Sequence, residues 1–240
     1  VFYILNHYSR DASESVKQLE AQGATVMVFT DQTDFYKNRR SLNRYEGLND
    51  NYLKIMEHKT DDDWKIVIHD DIKIPNGLVD KIHHVLTRSP KEPISFYNPT
   101  NKDYIAGVAS GHHVLKTGKN IWIPLHAIPT ILAYDFAAWA REHHYPVGSI
   151  AEDSLIKCWA AIQNHPLYAI MPSLVQHDGF ADSTFGTSPK VGHYERTSQS
   201  YDPDFDVTAI DWIVEFMLPY IEGSKQVDFT GIDGRLRGQK

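Results

Sequence analysis

Apolar residues along the chain fall into short β-branched or aromatic runs, separated by segments in which they recur every 3.6 residues. VFYIL, at residues 1–5, reads as a buried strand. Asp11 and Glu14 then form a capping-box-like start, with Val16 and Leu19 on one helix face and Gly23 at the stop. ATVMVFTD follows as a second strand ending at Asp31. The connection is too long for a hairpin, so the two strands are predicted to be parallel. Tyr45, Leu48, Tyr52, Ile55 and Met56 keep a helical period, and a charge run at Asp61, Asp62 and Asp63 reads as a solvated turn.

WKIVIHDDIKIP, residues 64–75, organises the rest. Ile66, Val67 and Ile68 form a strand that stops abruptly at His69-Asp70-Asp71. Open α/β sheets place their ligands in the crevice beyond the carboxyl ends of the strands. Pro75 is then predicted to open a helix whose apolar face is Leu78, Val79, Ile82, Val85 and Leu86. EPISFYNP and YIAGVAS read as strands, and HHVLKTGKNIWIP as a hairpin turning at 117–120. Pro129 starts a helix bearing Leu132, Phe136 and Trp139. In GSIAEDSLIKCWAAI, Ser149 is the predicted cap, and Glu152 and Asp153 fall in the first turn, where the helix dipole favours them. LYAIMPSLV is a strand closed by Gln176-His177, and DVTAIDWIVEFMLPYI a last helix. Residues 179–205, rich in Gly, Ser, Thr, Pro and Tyr, have the composition of a lid. The tail GRLRGQK is basic.

The pattern predicts one α/β domain over 240 residues, with a Rossmann-like mixed sheet flanked by helices. It divides into a first half (1–75), a second half (76–186), and a loop, C-terminal helix and tail (187–240). A net charge of −7 argues against binding nucleic acid through overall charge. The single cysteine, Cys158, cannot form an internal disulfide, which predicts a reducing, cytoplasmic setting. No run has the length of a membrane-spanning helix. The chain opens at Val1 inside a strand-like run, as expected where an initiating Met or short leader has been removed.

Four groups of residues are candidates for chemistry. Asp70 and Asp71 repel one another unless a cation or hydrogen bonds neutralise them, and hard oxygen ligands suit Mg²⁺ or Mn²⁺ on a diphosphate. The alternative is a turn in which Asp70 bonds backbone amides. Glu152-Asp153 is either a pair of ordinary helix-start charges or the general base. His177 is either a turn residue or a neutral imidazole ligand to the same ion. Asp31 is placed for ribose or base hydroxyls, and Arg44, in the basic stretch 37–44, for phosphate.

In this order, the pieces resemble a GT-A-type glycosyltransferase. They are a β-α-β start, the acidic IVIHDD at a central strand end, an acidic pair opening a later helix (AEDSLIKCW), and PSLVQH followed by a Gly/Ser-containing loop. The resemblance covers residues 1–186 and implies that 1–75 form the nucleotide-sugar-binding half and 76–186 the acceptor half. It implies that Asp71 ligates the metal (Mn²⁺ or Mg²⁺) and that His177 completes its coordination. Asp70 and Asp31 would contact the donor, a nucleoside-diphosphate sugar with UDP-sugars favoured, and Glu152 or Asp153 would act as the base of an inverting transfer. His69 stands where the family has an acid, so the ribose contact of that position departs from the pattern.

The implied acceptor is a glycan or a hydroxymethylated pyrimidine in DNA, since transferases of bacterial viruses that act on the latter are similar in size. A nucleotidyltransferase also uses strand-end acids, but NHYSRDAS lacks a Gly-rich phosphate loop. A non-catalytic sugar-binding module would use exposed aromatics such as Tyr97, Tyr104 and Trp122.

Overall fold

The computed structural model describes residues 1–7, 10–31, 46–98, 102–117, 124–143, 151–177, 198 and 200–221. The chain runs β1 (Phe2–Asn6), α1 (Ser13–Glu20), β2 (Val26–Thr30), α2 (Glu46–Glu57), β3 (Trp64–His69), β4 (Ile72–Lys73) and α3 (Leu78–Leu86). It continues β5 (Ile94–Ser95), α4 (Lys102–Ala109), β6 (Val114–Thr117), β7 (Leu125–Pro129), α5 (Thr130–Glu142) and α6 (Glu152–Gln163). It closes with β8 (Leu167–Ile170), β9 (Gln176–His177), a 3₁₀ turn (Val207–Ala209), α7 (Trp212–Met217) and β10 (Tyr220–Ile221).

An eight-stranded mixed sheet in the order β10-β6-β8-β5-β7-β3-β1-β2 runs through the chain, with helices on both faces. β1 pairs in parallel with both β2 and β3, and β7 joins β3 antiparallel. The alternation of side chains explains the two cores. Phe2, Ile4, Ile66 and Ile68 point to one face and pack with α1, α3 and α7. Tyr3, Leu5 and Val67 point to the other and pack with α2, α5 and α6. The sheet is thus a middle layer buried on both sides, as the near-continuous apolar runs of β1 and β3 require. Among the described residues no helix is long and apolar enough to cross a membrane.

Several local expectations are corrected. Asp11 does not hold the cap position of α1, which falls to Ala12; its Oδ1 accepts from the first helical amide, Ser13 N, at 2.9 Å in an i to i+2 turn. Pro75 is not a first helical residue, because Gly77, at φ 71°, turns the chain by a left-handed step into Leu78. YIAGVAS lies in helix α4, not a strand; at Gly107 an added Cβ would lie 2.7 Å from Met171 Cε, so glycine lets the helix close on the sheet. β6 pairs with β8 and β10 at its two edges, and residues 118–123 of the expected hairpin lie outside the described residues. Ala151, not Ser149, holds the cap position of α6. LYAIMPSLVQH splits at a cis Met171–Pro172 bond into β8 and β9. The last predicted helix splits as well: Asp206 and Asp211 each accept from a following amide and start separate turns. Tyr97 is not a surface aromatic; it is 1% exposed. Arg44, Trp122 and most of the 179–205 stretch lie outside the described residues, as does the Tyr104 side chain.

Candidate functional site

Three parallel strands end at one edge of the sheet and deliver three polar segments side by side. β1 runs out into Asn6-His7 and on to Arg10, β2 into Asp31, and β3 into His69-Asp70-Asp71. Asn6 fastens the first two ends together: its Nδ2 donates to Thr30 Oγ1 at 3.1 Å and to the Arg10 carbonyl at 3.4 Å. Asp31 N donates to Asn6 O at 3.1 Å, which keeps Asp31 beside the β1 end. Asp31 and Arg10 both act on the neighbouring His7 imidazole, whose pKa burial lowers first.

The two acids of the β3 end share one cation. Arg10 Nη1 lies 2.5 Å from Asp70 Oδ1 and 3.0 Å from Asp71 Oδ2. Asp70 also accepts from the His7 amide at 2.6 Å. Burial pushes the Asp70 carboxyl up to about 6, against the pull of Arg10. Both its oxygens accept close hydrogen bonds, so the ionised form is the one this geometry holds at neutral pH. Burial would also raise Asp71, but the His177 hydrogen bond and the charges of His177, His69 and Arg10 outweigh it. They hold that carboxyl well below the usual range.

His177 reaches the acids through a two-stranded ribbon separate from the main sheet. β4 pairs antiparallel with β9, and Ile72 is the register partner of His177. The side chain of Gln176 pins the ribbon from the other side, accepting from Ser198 N at 2.8 Å and donating to Ser198 O at 3.1 Å. The result is a contact of 3.1 Å between His177 Nε2 and Asp71 Oδ2.

α6 brings its first residue to the same place. Glu152 Oε1 lies 3.7 Å from His69 Nε2, and Glu152 is 6% exposed. Burial and the Asp153 charge, with a smaller push from Asp71, raise the Glu152 pKa to about 8. Asp153 is also raised by burial, but it is occupied locally: its Oδ1 accepts from Ser154 Oγ at 3.2 Å. Of the acidic pair, Glu152 is therefore the member that meets the strand-end cluster.

Asp71 and His177 fit a divalent cation. Their facing atoms, 3.1 Å apart, are joined by a hydrogen bond that an ion would replace. Asp71 Oδ1 and His177 Nδ1 are buried with no hydrogen-bond partner among the described residues. A carboxylate with an imidazole suits Mn²⁺ better than Mg²⁺. Among the described residues no three His, Cys, Asp or Glu side chains form a metal-holding group by themselves. Further ligands would have to come from a bound molecule and water.

The expected residues Asp70, Asp71, His69, Glu152 and His177 thus gather into one cluster, with Asp31 one strand away across His7. Arg44 lies outside the described residues. Sequence reasoning missed Arg10 and Asn6. The signal was present in NHYSRD, a polar run directly after a buried strand parallel to IVIHDD, but a lone arginine there has no motif to mark it. Neither protein-family models nor curated proteins give a match to this chain.

Proposed function

We propose that the chain is a cation-dependent glycosyltransferase of GT-A type, which moves a sugar from a nucleoside-diphosphate sugar to an acceptor hydroxyl with inversion. The observation that carries this reading is the meeting of Asp71, His177 and Glu152, through His69, beyond the carboxyl ends of β1, β2 and β3. A cation-holding pair and a carboxylate of raised proton affinity then lie side by side.

In this reading Asp71 and His177 hold Mn²⁺ or Mg²⁺. The ion, when bound, supplies positive charge against the charge that develops on the leaving diphosphate. Asp70, fixed by the His7 amide and Arg10, lies beside the donor. Asp31 faces the nucleoside from the β2 end. Glu152 takes the proton of the acceptor hydroxyl as oxygen attacks the anomeric carbon; its raised pKa makes it a strong proton acceptor once ionised. UDP-sugars are the favoured donors. The acceptor is a glycan or a hydroxymethylated pyrimidine in DNA, and the net charge of −7 favours the glycan. Buried, unpaired Cys158 supports a reducing compartment such as the cytoplasm.

One observation favours a second reading. Arg10 already neutralises the two acids, as it would in a sugar-binding module that never takes up an ion. Calorimetric titration of UDP, GDP and CDP, each with Mn²⁺ and with EDTA, separates the two. Metal-dependent binding of one diphosphate, lost in Asp71→Ala, is expected for the transferase. Binding of none of them, with or without metal, overturns it.

A further inference from the structure

Arg10 is the residue of the cluster that no motif accounts for. It leaves the sheet four positions beyond the end of β1, and the Asn6 side chain holds its carbonyl. One nitrogen of its guanidinium bridges carboxylates from two consecutive residues, at 2.5 and 3.0 Å. The atom that it touches on Asp71, Oδ2, is the same atom that His177 Nε2 approaches at 3.1 Å. Oδ2 thus belongs to two cationic or proton-donating partners at once, while Oδ1 of the same carboxylate has none among the described residues. The two adjacent acids and the guanidinium are all largely removed from water, with side-chain exposures of 5%, 10% and 19% for Asp70, Asp71 and Arg10. Unbalanced charge in such a place is costly.

We propose that Arg10 is a resident counter-cation: it neutralises Asp70 and Asp71 while the site is empty of donor, and it yields Asp71 to the divalent ion when a diphosphate arrives to receive the guanidinium. This rests on the transferase reading above. A planar guanidinium pairs as well with phosphate oxygens as with carboxylate, so the exchange leaves no charge unpaired. The ion alone must displace Arg10 from Asp71; it leaves Arg10 its contact with Asp70 but offers no replacement for the one lost. The ion together with a diphosphate provides that partner. Metal and diphosphate therefore bind with positive coupling, and linkage makes the coupling reciprocal. The arrangement also keeps a bare ion from settling in the site without a substrate.

The test is calorimetric titration of Mn²⁺ alone, of UDP alone, and of UDP at saturating Mn²⁺, on wild type, Arg10→Gln and Arg10→Lys. In Arg10→Gln, Mn²⁺ alone is expected to bind about tenfold more tightly than in wild type, a coupling of ordinary size. The gain that Mn²⁺ confers on UDP binding should shrink by a similar factor. Arg10→Lys keeps a cation that pairs with one carboxylate at a time, so its Mn²⁺ affinity should fall between the other two. If Mn²⁺ binds Arg10→Gln no more tightly than wild type, the proposal is overturned. If Arg10→Gln fails to fold, Arg10→Lys carries the comparison: affinity equal to or below that of wild type overturns the proposal.

The two readings fail separately. Metal-dependent UDP binding that is unaltered in the Arg10 variants leaves the transferase and removes the counter-cation. Tighter Mn²⁺ binding in Arg10→Gln, with no diphosphate bound by any form, removes the transferase and the exchange with diphosphate, and leaves Arg10 only as the cation that excludes the bare ion.

Discussion

His177 Nε2 stands 3.1 Å from Asp71 Oδ2 because the residue after Asp71, Ile72, is the β-register partner of His177. The contact is fixed by backbone pairing, so it does not depend on a long flexible side chain finding its mate. Asp71→Ala should therefore disturb both halves of the site, leaving His177 without its acceptor and Arg10 with Asp70 alone. A loss of about 3–5 kcal/mol in unfolding free energy is expected, read from urea denaturation. Asp71→Asn should cost less while still abolishing Mn²⁺-dependent diphosphate binding. Wild-type stability in Asp71→Ala would show that the ion-pair cluster does not support the fold.

Glu152 and Asp153 should separate in turnover. Glu152→Gln is expected to lower the transfer rate by about 10²- to 10⁴-fold, the usual worth of a general base, with UDP affinity within about twofold of wild type. Asp153→Asn, whose side chain turns to Ser154, should keep most of the rate. The opposite ranking in a sugar-nucleotide turnover assay would move the base to Asp153. In wild type the rate should climb with pH and level off above about 8, because only ionised Glu152 accepts a proton.

Stability should respond to pH with two opposed signs. The folded-state pKa of Asp71 lies below its unfolded value of about 3.9. Its contribution is present above that value and is lost as pH falls through the folded one. Glu152 behaves in the opposite sense. Its pKa rises from about 4.3 in the unfolded chain to about 8. The stability tied to its neutral form is full below the unfolded value and is lost as pH rises through the folded one. Glu152→Gln should remove that alkaline decline, so its urea midpoint should fall less than that of wild type between about pH 5 and 9. Parallel curves for the two proteins would contradict the assignment.

Lys65 provides a control remote from the strand-end cluster. It is fully buried in β3, and its Nζ donates to the carbonyls of Ile55, Met56 and His58 at 2.8, 2.5 and 2.6 Å, closing the C-terminal end of α2. Burial lowers its pKa to about 8. Lys65→Met leaves those carbonyls without their donor and should cost about 3 kcal/mol, seen as a lower urea midpoint. Diphosphate binding below the transition should stay at the wild-type level; a change there would tie α2 to the site.

The parts of this fold legible in the sequence were those dictated by local pattern. β1, β2 and β3 announce themselves as apolar runs, and the polar triplet after Ile68 marks where the crevice must be. Glu152 was visible as half of a helix-start pair, but choosing between it and Asp153 required knowing which way α6 faces His69. Arg10 was not legible, because its role comes from the parallel register of β1 and β3, a pairing between distant segments. The break at Met171–Pro172 was hidden for a related reason. An apolar run that changes direction looks the same as one that continues, and only the pairing of β9 with β4 separates them. YIAGVAS misled because its β-branched residues suited a strand, whereas Lys102–Ala109 runs as a helix with Gly107 against Met171.

The β4–β9 ribbon also sets an order of events. Its two strands come from opposite ends of the described chain's middle, and each is two residues long. Short pairings between distant segments form late, after the closure entropy of the intervening loop has been met by other contacts. β1, β2 and β3 need none of that delay. Arg10 and the two acids belong to the β1 and β3 ends, whereas the imidazole is carried by β9, so the cluster stands complete only once that distant strand has paired with β4.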